Sequence, residues 1–175
     1  FNQVVVNSNL IGIYNATNIC AAIAIGKYFE IEDTAIQKAI ENYVPTNNRS
    51  QIIEKSSNQI ILDAYNANPS SMEVAIKNLD QLLTKNKVAV LGDMFELGDE
   101  SDKEHRLIIE KAIATDIHKI FFVGERFYKN QITNDRITYF KSFDELQSKF
   151  NFDDFSNETI LVKGSRGMAL ERLLQ

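Results

Sequence analysis

Five short apolar runs constrain this chain more than any other feature. They are "IIL" at 60–62, "VAVL" at 88–91, "IFFV" at 120–123, "ITYF" at 137–140 and "TILV" at 159–162, with helix-like segments between them. A strand with one face in water alternates apolar and polar residues, so a run that is apolar throughout must be covered on both faces. Such runs spaced by helices predict an α/β domain of three layers, with a mostly parallel sheet in the middle. In a parallel sheet whatever follows each strand lies along one edge. Here that edge collects Asp63, Gly92-Asp93, Gly124-Glu125, Lys141-Ser142 and Lys163-Gly164-Ser165. The carboxyl edge is where open α/β sheets bind ligands, which makes it the place to look for a site.

The intervening segments carry helix signals. After Pro69, residues Met72, Ala75, Ile76, Leu79, Leu82 and Leu83 fall on one stripe. Asn68 before Pro69 predicts an N-cap followed by a proline at the first helical position, where its missing N–H is no loss. Ser101 with Glu104, and Ser142 with Glu145, have the spacing of capping boxes. The first fifty residues read differently. "NQVVVNSN" is predicted as a strand, and two helices follow, with Ile19, Ala22, Ile23 and Gly26 on one face and Ala35, Ile36, Ala39 and Ile40 on the other's. Pro45 stops the second helix. "QIIE" is a short strand and "KSSNQ" a polar turn. The expected boundary lies near Ser50, giving segments 1–50 and 51–175. A chain that begins at Phe1, directly before a strand, is expected to be a piece of a longer protein.

Composition removes several functional classes. A net charge of −5 is wrong for a nucleic-acid binder, which needs a basic face. Cys20 is the single cysteine, so no internal disulfide forms, and its apolar surroundings predict a reduced core thiol. No apolar run reaches the roughly 20 residues of a membrane span. No membrane insertion and a cytoplasmic location are therefore expected. His105 and His118 are isolated, and surface or helix roles are expected for them. The loop "LGDMFELGDES" is acidic at Asp93, Glu96, Asp99 and Glu100, but its spacing specifies no metal site.

The polar residues at the edge form two clusters. In "ILDAYNANPSSMEVAI", helix initiation accounts for Asn68 and Pro69 but not for Asp63, Tyr65 or Asn66. A carboxylate at a strand end accepts hydrogen bonds from sugar hydroxyls, orients a basic group, or simply caps its own loop. In "KGSRGM", glycines flank Ser165-Arg166 before the helix-like "ALERLL". Backbone N–H groups there, with Lys163 and Arg166, suit a carboxylate or phosphate; the plainer reading is a glycine turn with solvated basic residues. Asn15 and Asn18 are three apart and share a helix face, fit either for reading a base edge or, for Asn15, for capping. Arg49 sits in the junction loop, within reach of a phosphate. There is no G-x-x-x-x-G-K-[ST] loop, no G-x-G-x-x-G fingerprint and no nucleophile elbow.

Taken together and in order, "DAYNANPSSM", "LGDMFELG" and "VKGSRGMALERLL" resemble the Mur ligase family, and "YNATNICAAIAIG" and the arginine after "VPTNN" match the end of that family's central domain. The resemblance implies a Rossmann-like C-terminal domain over 51–175, preceded over 1–50 by the tail of the central ATP-binding domain. It implies an ATP-dependent ligase that joins an amino group to a peptidyl carboxylate through an acyl phosphate. The implied substrates are D-alanyl-D-alanine and a UDP-N-acetylmuramoyl-tripeptide, in peptidoglycan precursor synthesis. ATP and Mg²⁺ are implied cofactors of the whole enzyme, with the phosphate loop and the metal ligands lying outside this chain, which is expected to be inactive alone and monomeric. By the same resemblance Asn15, Asn18, Arg49 and Asp63 contact ATP. Tyr65, Asn66, Asn68, Lys163, Ser165 and Arg166 face substrate. No catalytic residue is expected within the chain. The sequence departs from the family at Asn48, where Gly is frequent before the arginine, and at Leu62 and Ala64 around Asp63.

Two rival readings remain at this level. A receiver-like signalling module also has a parallel sheet with aspartates and a lysine at strand ends, loosely imitated by Asp63, Asp93 and Lys163. Another amino-acid-adding ligase of the same superfamily, such as a folylpolyglutamate synthetase, is the second.

Overall fold

The structure is a computed structural model that describes residues 1–2, 4–10, 12, 15–84 and 86–175. Gln3, within the segment read as the opening strand, and Tyr14, before the first helix, lie outside the described residues. The chain divides into two compact units, Phe1–Thr46 and Asn47–Gln175.

The first unit contains α1 (Asn15–Tyr28) and α2 (Asp33–Glu41). Ile36 of α2 packs against Gly26 of α1, where an added Cβ would meet Ile36 Cδ1 at 2.8 Å. The expected opening strand is not there: the described residues of 4–10 form no strand. Strand backbone needs a neighbouring strand for its hydrogen bonds, and the described residues of this unit contain none. The segment bonds to α2 instead: Asn7 N–H donates to Glu41 Oε1, Asn9 Nδ2 to the Glu41 carbonyl, and Gln37 Nε2 to the Val5 carbonyl. Cys20 is exposed, not a core thiol. The reason is that α1 is apolar on most of its surface while, among the described elements of the unit, α2 is the helix that packs on it, so Ile25, Tyr28 and Phe29 are exposed as well.

The second unit is the predicted three-layer domain. Its described residues form a six-stranded sheet in the order β1-β2-β6-β3-β4-β5, where β1 is Gln51–Lys55, β2 Asn58–Asp63, β3 Lys87–Gly92, β4 Lys119–Val123, β5 Ile137–Phe140 and β6 Thr159–Lys163. β1 pairs antiparallel with β2 through a two-residue turn, and the other four pairings are parallel. A receiver has the strand order 2-1-3-4-5. Here the last strand inserts between β2 and β3 and an antiparallel strand adds an edge, so the receiver reading fails on topology.

Side chains alternate across the sheet as strand geometry requires. Ile60, Leu62, Val88, Val90, Phe121, Val123, Ile160 and Val162 point to one face, where Phe143, Leu146, Phe152, Leu170 and Leu173 cover them. The opposite set, including Ile61, Ala89, Leu91, Phe122 and Leu161, is covered by α3 (Pro69–Gln81), α4 (Ser101–Ile113) and α5 (Glu125–Lys129), which pack side by side. The connections from β2 and β3 leave toward this second face, whereas the chain after β6 leaves toward the first. The carboxyl ends of β2, β6 and β3 are therefore a topological switch point, the position at which such sheets open a crevice.

Several local expectations need correction. The buried stripe of α3 is Met72, Ala75, Ile76 and Leu79; the helix ends at Gln81 and Leu82 turns extended, which carries Leu83 into solvent. Ser101 is no N-cap, because a 3-10 turn at Gly98–Glu100 runs straight into α4 and leaves Ser101 already helical, with φ −55° and ψ −48°. Ser142 does cap α6 (Phe143–Lys149), accepting from the Glu145 N–H, but Glu145 reaches back to the Lys141 N–H rather than to that of Ser142. The segment after Met168 is 3-10 rather than α-helical, broken at Ala169, whose φ is 47°. Of the surface and helix roles expected for His105, the helix one holds: it lies on α4 and is fully buried.

His105 and Asp93 together fix the loop after β3. Asp93 accepts the N–H groups of Arg126 (2.9 Å) and Phe127 (3.0 Å) at the start of α5. Gly124 must be glycine: its φ is +124°, and a Cβ there would lie 2.3 Å from the Asp93 carboxylate. His105 Nε2 accepts the Met94 N–H at 3.0 Å, and Nδ1 lies 2.6 Å from the Ser101 carbonyl, so the neutral imidazole protonated at Nδ1 satisfies both bonds. Burial against Phe127 pushes the His105 pKa below its ordinary value, and burial pushes that of Asp93 up. Asp93, Asp102 and Arg126 are the charged groups that act on the imidazole. A histidine depressed in the folded state gives stability that is present above its unfolded pKa and lost as pH falls toward the folded one. Urea unfolding is therefore expected to show stability declining below about pH 6.5, by up to about 1.4 kcal/mol per pH unit. The variant His105→Gln, which cannot titrate, lacks that part of the slope.

Candidate functional site

The switch point is built around one ion pair. Asp63 and Lys163 are the last residues of β2 and β6 and are Cα partners in the parallel register, so both side chains leave the sheet at the same point. Lys163 Nζ donates to Asp63 Oδ2 at 2.6 Å and to the Asn66 carbonyl at 3.1 Å. The lysine side chain is 2% exposed and the aspartate 19%. The second carboxylate oxygen accepts the Ser50 N–H at 3.3 Å. Lys163 is thus not a solvated cation. A buried ammonium is tolerable only when its charge and protons are matched, and here a carboxylate and a carbonyl do both.

Two loops are fastened to this pair. In the first, 64–68, the Tyr65 N–H donates to the Asn48 carbonyl at 3.1 Å, Asn66 Oδ1 accepts the Ala67 N–H, and Asn68 caps α3 in a full capping box with Ser71. The Asn68-Pro69 expectation holds. In the second, 164–168, the Ser165 hydroxyl donates to the Ala67 carbonyl (3.3 Å) and accepts the Phe95 N–H (2.8 Å), tying the loops after β2, β3 and β6 together. Gly164 is required by closeness: a Cβ there would stand 3.2 Å from Gly92 Cα and 2.9 Å from Leu170 Cδ1. Ser165 is buried, so its hydroxyl acts on the fold while Arg166 points outward, exposed.

The exposed members gather around Tyr65. Arg49 Cζ lies 3.9 Å from the centre of its ring and Arg166 Cζ 5.4 Å, both within cation–π range. Asn48, the departure before the arginine, has φ 57°. That is the left-handed region where Gly is at ease and Asn is the best substitute, so the loop keeps its form. In the other unit Asn15 is the first residue of α1, its N–H bonded to the Gly12 carbonyl, and Asn18 Nδ2 donates to Asn15 Oδ1 at 3.0 Å. The two amides do share a face, and they bond each other.

Phe95 escaped the sequence reading. It is 43% exposed, and its ring sits where a Cβ on Gly167 would meet Cε2 at 2.6 Å. The available signal was a lone large aromatic inside the acidic "GDMFELGDE". The acids of that loop do not converge: Asp93 turns inward, Glu100 pairs with Lys103, and Glu96 and Asp99 are exposed. Among the described residues no three His, Cys, Asp or Glu side chains are placed to hold a metal ion. Nor is any described helix long and apolar enough to cross a membrane.

The fold and this edge define a parallel α/β domain whose switch point carries a largely buried ion pair with two exposed arginines, a tyrosine and an asparagine amide around it. The chain belongs to the Mur ligase family: the profile described as "Mur ligase, glutamate ligase domain" matches residues 48–166. The chain is 34% identical over 168 residues to the UDP-N-acetylmuramoyl-tripeptide–D-alanyl-D-alanine ligase of Treponema pallidum, an alignment that takes in 93% of this chain and 36% of that protein. It is 33% identical over 175 residues to the enzyme of the same name from Bacillus subtilis, covering 95% and 38%. A crystal structure of MurF from Acinetobacter baumannii superposes with a TM-score of 0.82 at 28% identity, over 97% of this chain and 38% of that one. The chain therefore spans just over a third of the length of these relatives.

Removing the Ser165 hydroxyl tests the fastening. Ser165→Ala is expected to cost about 1–2 kcal/mol in urea unfolding, because it leaves the Phe95 N–H without its acceptor. Amide exchange at Phe95 should accelerate while the amides of β3 and β6 keep their protection. Unchanged Phe95 exchange would contradict this role.

Proposed function

We propose that this chain is the C-terminal part of an ATP-dependent ligase that adds D-alanyl-D-alanine to UDP-N-acetylmuramoyl-tripeptide. The observation that carries the reading is that the named motifs converge on one edge, in a chain matched almost end to end by two ligases of that name. Residues 51–175 are read as the C-terminal Rossmann-like domain and 1–50 as the tail of the central ATP-binding domain. The mostly apolar surface of α1 supports the second assignment, since such a helix is built to be enclosed.

In this reading the carboxylate of the tripeptide becomes an acyl phosphate, and the amine of the dipeptide displaces the phosphate to form the amide. The chemistry needs charge neutralisation, alignment and exclusion of water more than it needs a nucleophile from the protein. Arg49 neutralises phosphoryl charge, and Asn15 and Asn18 present amides to the base. Asp63, one oxygen of which is bound to Lys163, offers its remaining lone pairs to the nucleotide ribose. Tyr65, Asn66 and Arg166 face the side on which the acceptor amine meets the acyl phosphate; Lys163, Ser165 and Asn68 hold the loops that carry them. The Mg²⁺ that accompanies ATP is assigned to residues outside this chain. The protein is read as a cytoplasmic monomer, since both ATP and the UDP-linked precursor are cytoplasmic substrates.

The test is a chimera in which this chain replaces the matching segment of the Bacillus subtilis relative. The chimera is expected to release phosphate only when ATP, UDP-N-acetylmuramoyl-tripeptide and D-alanyl-D-alanine are all present, and to yield the pentapeptide by mass. Arg49→Ala in the chimera should lower kcat/KM by roughly 10- to 100-fold, the worth of one charge-assisted contact. The 175-residue chain by itself should release none above a buffer blank; release by the chain alone would overturn the assignment.

A further inference from the structure

The two exposed arginines at the edge come from distant parts of the second unit. Arg49 precedes β1 and Arg166 follows β6, yet both guanidiniums lie over one ring, that of Tyr65. Among the described residues neither forms an ion pair with a carboxylate. The nearest acid in sequence to Tyr65, Asp63, already has its charge cancelled by Lys163. The result is a doubly positive spot in a chain whose net charge is −5. Tyr65 itself is well fixed. Its N–H is held by the carbonyl of Asn48, next to Arg49, and the following carbonyl, that of Asn66, is held by buried Lys163. Its ring is nonetheless 39% exposed, so groups stacked on it face water. A guanidinium lying on a ring gives up little of its hydrogen-bonding fork, which stays in its own plane and is pre-set for oxyanions.

We propose that Tyr65 is a positioning residue that clamps Arg49 and Arg166 into one site for a multiply charged phosphoryl anion. Two guanidiniums without a counter-ion match a phosphoryl group carrying two or more negative charges better than a single carboxylate. This deepens the ligase reading, which brings a phosphate-bearing ligand to the same edge. The ring would act by removing the rotamer freedom of both arginines before the anion arrives, so its loss shows in affinity and not in folding.

The test uses the 175-residue chain with arginine side chains labelled with nitrogen-15, titrated with inorganic pyrophosphate and, separately, with acetate. The Nε–H signals of Arg49 and Arg166 are expected to shift together with a single apparent Kd for pyrophosphate, and about tenfold more weakly with acetate. Tyr65→Leu should raise the Kd by about fivefold and uncouple the two signals. Tyr65→Phe, which keeps the ring, should restore the common, tighter Kd. Unfolding midpoints should be alike in all three proteins. The inference is overturned if Tyr65→Leu binds as the parent does, if only one arginine responds, or if acetate binds equally well. Should pyrophosphate bind as described while the chimera makes no pentapeptide, the ligase reading fails and the clamp stands. A working chimera with unchanged binding in Tyr65→Leu gives the reverse.

Discussion

Lys163 carries a full charge at a position that water hardly reaches, and its salt bridge to Asp63 is what makes that position tenable. Desolvating an ammonium costs several kcal/mol unless a partner and hydrogen bonds replace the lost water. Here the partner is supplied by the sheet itself, because β2 and β6 pair in a register that sets the two residues side by side. The carbonyl of Asn66 and the N–H of Ser50 complete the shell. Through those bonds the pair fixes the loop carrying Tyr65 and the residue beside Arg49. Ser165, two residues after the lysine, fixes the loops of Ala67 and Phe95. The exposed groups at the edge owe their placement to the buried ones.

This division of labour separates two kinds of residue that a sequence motif presents as one. In "VKGSRG" the lysine and serine are inside and the arginine is outside; in "DAYNANP" the aspartate is mostly enclosed, the tyrosine and first asparagine face outward, and the second asparagine caps a helix. In the proposed reading a ligand at this edge meets the exposed Arg49, Tyr65, Asn66 and Arg166 directly. It meets Lys163 only through Asp63 or the Asn66 peptide. That arrangement suits a ligase chemistry which works by holding and neutralising rather than by a protein nucleophile.

Periodicity made the sheet legible, since apolar runs covered on both faces admit few architectures, and the parallel topology then gave the edge. Asn68-Pro69 was legible because capping is local. The ion pair was not, because its members lie a hundred residues apart and only strand register brings them together. The burial of His105 was hidden for the same reason: its acceptor role toward the Met94 N–H and its packing against Phe127 arise from three separate elements. The opening strand failed because β propensity without a partner strand makes no strand. Ser101 failed because a preceding 3-10 turn had already set its own backbone helical, which an N-cap residue is not.

The most direct measurement of the central role given to the ion pair is a double-mutant cycle on Asp63→Asn and Lys163→Met, followed by urea unfolding. Each single change strands a charge in a largely dry position, while the double change removes both charges at once. The expected result is a coupling energy of roughly 2–3 kcal/mol, with the double variant more stable than the sum of the single losses implies. Single effects that simply add, within about 0.5 kcal/mol, would contradict the claim that this pair holds the edge together.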